Sequence, residues 1–513
     1  MTVVELLESL VQPALLPAPP VVPDAVGSTT VSEVVYDSRR AVPGAVFVAL
    51  RGQKDDGARF APQAVARGAV LVVAETPTPA GHQGAWLAVP DARLALALLA
   101  DRFYEHPSGV LRVVGITGTN GKTTTAYLLR SILEAAGQRC GLIGTVVYSV
   151  GREDRDATRT TPEAPDVQHM FSEMVDNGCA AAVMEVSSHA LALKRVDGVR
   201  FAAGVFSNLT RDHLDFHGDM ETYFAAKRRL FEMLPEGAPG VVNVDDPKGQ
   251  ALAGIASRPV TYGMRNAADV TPEPFDYALS GLRFTARTPR GALQVKSTLV
   301  GQPNVYNVLA AIATADALDV PHEAIESGIE QLPGVPGRFE LVSQPGDDVV
   351  VVVDYAHTDD ALKNLLETAR ALSPGRLITV FGCGGDRDRT KRPLMGAVGG
   401  RLSDVLIVTS DNPRTEDPAA IIDEVLRGIP GGADRNPARQ SRPGPRAPDV
   451  LAIVDRRDAV TRAIDIARTG DLVIVAGKGH EKMQVIGERE LPFDDVAVSR
   501  DALARRRMRQ RVG

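Results

Sequence analysis

The chain has 513 residues, of which 44% are hydrophobic and 24% charged, the balance of a globular protein long enough for about three domains with a core in each. Lys and Arg number 57 against 64 Asp and Glu, a formal net charge of −7, which argues against a general nucleic-acid binder with its basic face. Cys140, Cys179 and Cys383 are far apart, odd in number and without a CxxC pair, so neither a zinc site nor a disulfide framework is expected and a reducing compartment fits.

The N-terminus runs from Met1 through Pro13, Pro17, Pro19, Pro20 and Pro23 without a basic region followed by an apolar one, so no signal peptide is expected. No run of 18 apolar residues occurs, so neither a membrane span nor a membrane partner is expected, and the expected location is cytoplasmic. Short apolar segments at Ala45–Leu50 and Ala69–Ala74, set between turn-rich stretches, predict a small α/β unit ending near residue 107. At Leu111 the pattern changes. Leu111–Ile116 reads as a buried parallel strand, followed by a Gly/Thr-rich loop and a helix over Lys122–Ala136. Further apolar runs at Ala180–Val186, Gly204–Phe206 and Gly240–Val244 predict a doubly wound parallel sheet over residues 108–334.

Two Pro-Gly pairs in Leu332-Pro-Gly-Val-Pro-Gly-Arg338 mark a boundary. Beyond it, Val349–Val353, Arg376–Phe381, Asp404–Val408 and Asp471–Ala476 read as buried strands, and Asp360–Leu372 as a helix, giving a further α/β domain over 335–513. Between Pro430 and Pro448 the chain is rich in Gly, Pro and Arg, the composition of an exposed, mobile loop. The basic run Arg505–Arg511 reads as a solvated or frayed helix end before an anion-binding tail. The expected fold is therefore α/β in three domains, with no internal repeat.

The strongest chemical signal is Gly115-Ile-Thr-Gly118-Thr119-Asn120-Gly121-Lys122-Thr123-Thr124, between a predicted strand and a predicted helix. Glycines let backbone N–H groups approach phosphate oxygens, and the helix N-terminus adds partial positive charge. Lys122 would sit near the β- and γ-phosphates of ATP, and Thr123 would offer its hydroxyl to Mg²⁺. Position 116, where the usual spacing has its first glycine, is isoleucine. A glycine-rich turn with an incidental lysine is the plainer alternative.

Met184-Glu185-Val-Ser187-Ser188-His189 and Ser207-Asn208-Leu-Thr-Arg-Asp212-His213 each end an apolar strand, where open parallel sheets place their ligands. Glu185 and His213 suit a divalent ion through oxygen and imidazole; a polar turn without metal remains open on these residues alone. Lys227, in a helix-like segment, reads as an ordinary solvated charge.

Gly118-Thr-Asn-Gly-Lys-Thr, Met184-Glu-Val-Ser-Ser-His, Asp212-His-Leu-Asp-Phe-His-Gly and Asp354-Tyr-Ala-His357 together resemble the Mur ligases, ATP-dependent amide-forming enzymes of peptidoglycan precursor synthesis. Gly382-Cys-Gly-Gly-Asp-Arg387-Asp-Arg-Thr-Lys-Arg392-Pro, Asp411-Asn412-Pro413-Arg414 and Gly477-Lys-Gly-His-Glu481 resemble the members that add the third amino acid. The similarity runs from about Val35 to Val485. It implies a first domain for the uridine nucleotide, a second for ATP and a third for the incoming amino acid. It also implies contacts to the uridine nucleotide from Tyr36, Ser38, Gln53, Lys54 and Asp55. Thr160, Thr161, Ser187 and Arg195 would contact the muramoyl dipeptide, although Leu193 stands where relatives often have glutamine.

By the same resemblance Lys227 is carbamylated and joins Thr123, Glu185 and His213 around Mg²⁺. Asn304 and Asn307 lie on the adenine side, with Pro303 where an aromatic is frequent. Arg338, Asp354 and His357 reach the nucleotide from the third domain, with Asp359 in place of the familiar proline. Arg387, Asp411, Asn412, Pro413, Arg414, Gly477 and Glu481 would hold a diamino acid. Arg414 favours meso-diaminopimelate, because its planar fork suits a distal carboxylate; L-lysine and L-ornithine stay open if Arg414 pairs with Glu416 or Asp417. Catalysis would proceed through an acyl phosphate, with Lys122, Glu185, His213 and Lys227 around the γ-phosphate, in a monomer with no nucleic-acid partner. A folylpolyglutamate synthase-like ligase and a non-catalytic nucleotide-binding regulator are the alternatives.

Overall fold

The computed structural model describes residues 1–52, 55–372, 375–429 and 448–512. Gln53 and Lys54, and the predicted loop between Pro430 and Pro448 except for its last residue, lie outside the described residues. Three main sheets follow one another along the chain. The first has four parallel strands, Val34–Val35, Val46–Ala49, Leu71–Ala74 and Ala85–Ala88, in sequential order. Helix Ala92–Phe103 packs on it through Leu96 and Leu99, and Asp91 caps the helix by accepting from Leu94 N.

The second sheet has eight strands. Its centre is Arg112–Thr117, flanked by Phe201–Phe206 and Ala181–Glu185, all parallel. Val113, Val114 and Ile116 are fully buried, as a strand covered by helices on both faces requires. Two short strands, Val147–Ser149 and Asp154–Asp156, extend one edge antiparallel. The sequence reading missed these, and also the small antiparallel sheet built on the hairpin Gly281–Thr288 and Gly291–Ser297. Their apolar positions alternate over few residues and give no continuous run.

The third sheet has the order Glu340–Leu341, Val350–Asp354, Leu472–Ala476, Leu377–Phe381, Val405–Val408, Asp449–Ala452. All pairs are parallel except the first. Buried clusters cover both faces.

The C-terminal basic run departs from expectation in part. It ends helix Asp495–Val512, with Arg505 and Arg509 exposed as expected, but Arg506 and Arg507 are partly buried and held. Arg506 pairs with Asp348 at 2.6 Å, Arg507 with Asp347 at 2.6 Å and Arg509 with Asp465 at 2.5 Å. The acidic partners lie far away in sequence, so spacing along the run could not indicate them.

Candidate active site

Strand Arg112–Thr117 delivers the loop Gly118–Gly121 to the carboxyl edge of the central sheet, and helix Lys122–Ala135 leaves from it. Gly118 has φ +145°, and a Cβ there would lie 1.9 Å from Ser207 Oγ. Only glycine allows the loop to press so closely on the neighbouring strand end. Thr119 N donates to Asn208 O at 2.8 Å, and Asn120 N to Asn208 Oδ1 at 3.0 Å. Lys122 Nζ turns back onto the carbonyls of Gly118 and Thr119, both at 2.9 Å. Burial lowers its pKa, against the attraction of Glu185 and Asp212.

The buried Glu185 carboxylate accepts from Thr123 Oγ1 at 3.1 Å, Thr145 N at 2.8 Å and Thr145 Oγ1 at 3.0 Å. Thr145 Oγ1 also meets Thr160 Oγ1 at 3.1 Å, and Thr161 Oγ1 donates to Glu185 O at 2.8 Å and stands within 3.3 Å of Ser187 Oγ. Arg195 pairs with Glu163 at 2.8 Å and donates to Thr161 O at 3.0 Å. Thr145 carried no sequence signal, since it lies in a turn without a motif. The uridine candidates that are described lie in the segments following the first two strands of the first sheet and are already engaged. Tyr36 donates to Asp166 at 2.8 Å, Ser38 to Gln63 at 2.8 Å, and Asp55 pairs with Arg59.

The reading of Lys227 as a solvated charge fails. The side chain is 1% exposed, beneath the phosphate loop, with Nζ donating to Gly118 O at 2.7 Å and lying over the Tyr223 ring at 4.4 Å. Helix Met220–Glu232 buries Tyr223, Ala226, Lys227 and Leu230 on one stripe, so the lysine points inward. Burial, then the neighbouring Lys122, holds its pKa well below that of a free lysine.

Two cavities meet here. One, of about 290 Å³, is lined by the phosphate loop, Thr123, Glu185, Asn304, Asn307, Arg338 and Asp354. The other, of about 420 Å³, is lined by Arg387, Asp411, Asn412, Arg414, Gly477 and Glu481 among others. Asp212, His213, Tyr355 and His357 line both. His213 is not a peripheral turn residue. It sits at this junction with φ +53°, and burial pushes its imidazole down to about 4, so it is neutral near pH 7. His357 shifts in the same direction through burial. Asn304 donates to Val300 O at 2.8 Å and accepts from Asn307 Nδ2 at 2.9 Å.

The boundary segment crosses between the sheets, and Arg338 donates to Thr123 Oγ1 at 3.2 Å while lying over the Tyr355 ring at 4.6 Å. Asp354 accepts from Phe339 N at 2.6 Å and Ala356 N at 2.8 Å, and burial raises its pKa. In the larger cavity Glu481 accepts from Asn412 Nδ2 and Lys478 Nζ, both at 2.9 Å and both on Oε2. Gly477 has φ +117°, and a Cβ there would lie 2.8 Å from Asp411 Oδ2.

Behind this wall is a group the sequence reading did not single out. Arg456, 0% exposed, pairs with Asp495 at 2.7 Å and donates to Ala476 O at 2.9 Å and Ser410 O at 3.4 Å. It ties together the strand ends that present Asp411 and Gly477.

The family model described as Mur ligase middle domain matches residues 116–315. The one described as Mur ligase, glutamate ligase domain matches 337–479. That described as Mur ligase family, catalytic domain matches 30–104. A UDP-N-acetylmuramoyl-L-alanyl-D-glutamate--2,6-diaminopimelate ligase of Solibacter usitatus is 47% identical over 94% of this chain and 95% of its own. Its namesake from Geobacter metallireducens is 48% identical over 90% and 91%. A solved structure with the same enzyme name is 33% identical, with a TM-score of 0.68 over 99% of this chain and 100% of that one. MurF from Acinetobacter baumannii, at 20% identity and a TM-score of 0.65 over 93% and 95%, shares the fold. With all three family regions matched in order and near-half identity over almost the full length, the chain belongs to the Mur ligase family.

Proposed function

We propose that the chain is an ATP-dependent amide ligase that joins meso-diaminopimelate to UDP-N-acetylmuramoyl-L-alanyl-D-glutamate, releasing ADP and phosphate. The observation that carries this is the meeting of two cavities at Asp212, His213, Tyr355 and His357, one floored by a phosphate loop and the other walled by Arg387 and Arg414. Residues 1–107 would take the uridine nucleotide, 108–334 ATP and 335–513 the amino acid. The names and identities of the curated relatives support the same reading.

In the first step, a carboxylate oxygen of the dipeptide attacks the γ-phosphorus, the bond to the β-phosphate oxygen breaks, and ADP leaves. The amine then attacks the acyl carbon, loses its proton, and the tetrahedral intermediate expels phosphate. The main barrier is charge, because a carboxylate must approach a triphosphate. Loop N–H groups, the helix N-terminus and Lys122 supply fixed positive charge there. Gly118–Thr124, Asn304, Arg338, Asp354 and His357 would bind ATP. Thr160, Thr161, Ser187 and Arg195 would orient the dipeptide.

The donor set fits Mg²⁺ through oxygen ligands. Thr123 Oγ1 and the Glu185 carboxylate adjoin, His213 is neutral, and such an ion completes its shell with water and phosphate. No group of three His, Cys, Asp or Glu that could hold a metal occurs among the described residues. A carbamate on Lys227 would add the missing anionic ligand. It would also relieve a strained arrangement, since Lys122 and Lys227 now donate to the same Gly118 carbonyl. When bound, Mg²⁺ supplies charge neutralisation on the phosphates. Three free, buried cysteines support a reducing, cytoplasmic setting.

The test is phosphate release with the UDP-muramoyl dipeptide and each of meso-diaminopimelate, L-lysine and L-ornithine. Release with meso-diaminopimelate well above the other two is the expected result. No stimulation by any of them overturns the ligase reading.

A further inference from the structure

The larger cavity has one wall from each of two sheets. The loop after strand Phe201–Phe206 carries Asp212 and His213, and the loop after strand Leu377–Phe381 carries Arg387. Arg211 joins them. Its Nη2 donates to Thr390 Oγ1 at 2.5 Å and lies 3.6 Å from Asp388 Oδ2. Thr390 is in turn tied to Asp388 through its backbone N at 2.9 Å. Arg211 directly precedes Asp212, and Asp388 directly follows Arg387, so this contact links the two opposite walls. Among the described residues it is the sole ion pair between residues 108–334 and 335–513.

Two further observations separate it from an incidental surface pair. Arg211 Nε is buried without a partner, so the side chain is committed to the interface rather than waving in solvent. Arg338 to Thr123 and Asn120 to Asp360 at 3.1 Å, which also cross between the two parts, lie on the nucleotide side, while Thr210 also meets Asp360 and His480 meets the Thr145 backbone. The Arg211 contact is an ion pair that borders the cavity for the amino acid, with Arg211 and Asp388 both lining it.

We infer that Arg211 is a positioning residue for the incoming amino acid, closing the Arg387 wall onto the His213 wall. This rests on the ligase reading above. The Arg211 side chain is 40% exposed and Asp388 22%, so the contact is weak enough to open for entry and release. Its loss leaves the nucleotide-side contacts in place and loosens only the amino-acid cavity. The burden then falls on the KM for the amino acid.

The experiment uses the full chain and measures phosphate release while each substrate is varied in turn. R211A is expected to raise the KM for meso-diaminopimelate about tenfold, the loss of one charged hydrogen bond, with the KM for ATP within about twofold. R211K should recover part of the loss. T390V should raise the same KM less, and R211A/T390V should be no worse than R211A, because coupled residues are not additive. Small-angle scattering of the ligand-free chain should show a larger radius for R211A at an unchanged unfolding midpoint. An unchanged KM for the amino acid, an equal rise for all substrates, or full additivity with T390V overturns the assignment. If the wild type releases no phosphate with any of the three amino acids, the ligase reading falls. The scattering comparison then decides the closing role of Arg211 by itself, and equal radii overturn it.

Discussion

Arg414 and Glu416 stand two residues apart and face different partners. Glu416 is held by Arg392 at 2.7 Å, whereas Arg414 donates to Gly385 O at 2.7 Å and has no carboxylate partner among the described residues. Asp417 is also occupied, capping the helix Pro418–Leu426 through Ala419 N. Pairing of Arg414 with either acid, the open alternative from the sequence, does not occur. Burial and the adjacent Arg387 both disfavour its charge, an imbalance that an incoming carboxylate would relieve.

Arg414→Ala should therefore damage the use of meso-diaminopimelate far more than that of L-lysine, which lacks the distal carboxylate. The expected loss in kcat/KM is about a hundredfold for the former, the penalty of an unmade charged hydrogen bond pair. Equal losses for both amino acids would show that Arg414 does not read the distal carboxylate.

Lys227→Ala should abolish turnover while leaving the fold intact, because the lysine is buried beneath the loop without a carboxylate partner. Thermal unfolding checks the fold, and added formate or acetate should restore part of the activity by replacing the carbamate. Undiminished phosphate release in the variant rejects the carbamate.

Lys122→Ala removes the ammonium that now rests on Gly118 O and Thr119 O. The rate should fall by about a thousandfold, roughly 4 kcal/mol of transition-state stabilisation. Single-turnover measurement with saturating ATP separates this from weaker binding. A fall below about tenfold would place the triphosphate elsewhere.

Arg456→Met leaves Asp495 buried and uncompensated, at a cost of about 3–5 kcal/mol. Urea unfolding monitored by circular dichroism measures it. Adding Asp495→Leu should recover much of the loss. A double variant as unstable as the single one would show that the carbonyl bonds to Ser410 and Ala476, not the ion pair, hold this wall.

Hydrogen bonds from Arg392 hold the Glu416 carboxyl down at about 2, against the usual 4.5. A depressed carboxyl stabilises the fold above its unfolded pKa and loses that contribution as pH falls through the folded value. The unfolding midpoint of the wild type should thus exceed that of Glu416→Gln at pH 6. The gap should close between about pH 4.5 and pH 2. A gap that stays constant over that range would assign the difference to packing.

Much of this protein was legible without coordinates. The apolar runs ending in Ile116, Val186 and Phe206 placed three strands of a parallel sheet, because strands covered on both faces must be apolar throughout. The phosphate loop and the Asp411–Arg414 motif stood at such strand ends, so local sequence also indicated where chemistry gathers.

Side-chain partnership was decided only in three dimensions. The placement of Lys227 depends on which face of Met220–Glu232 meets the loop, although the spacing Tyr223, Lys227, Leu230 already marked an inward stripe. Arg506 and Asp348 are 158 positions apart, and Arg211 and Thr390 are 179. Nothing local distinguishes these arginines from solvated ones. Apolar periodicity is written along the chain because burial acts on each element separately. The partner of a charge is chosen by whatever the folded chain brings within hydrogen-bonding reach.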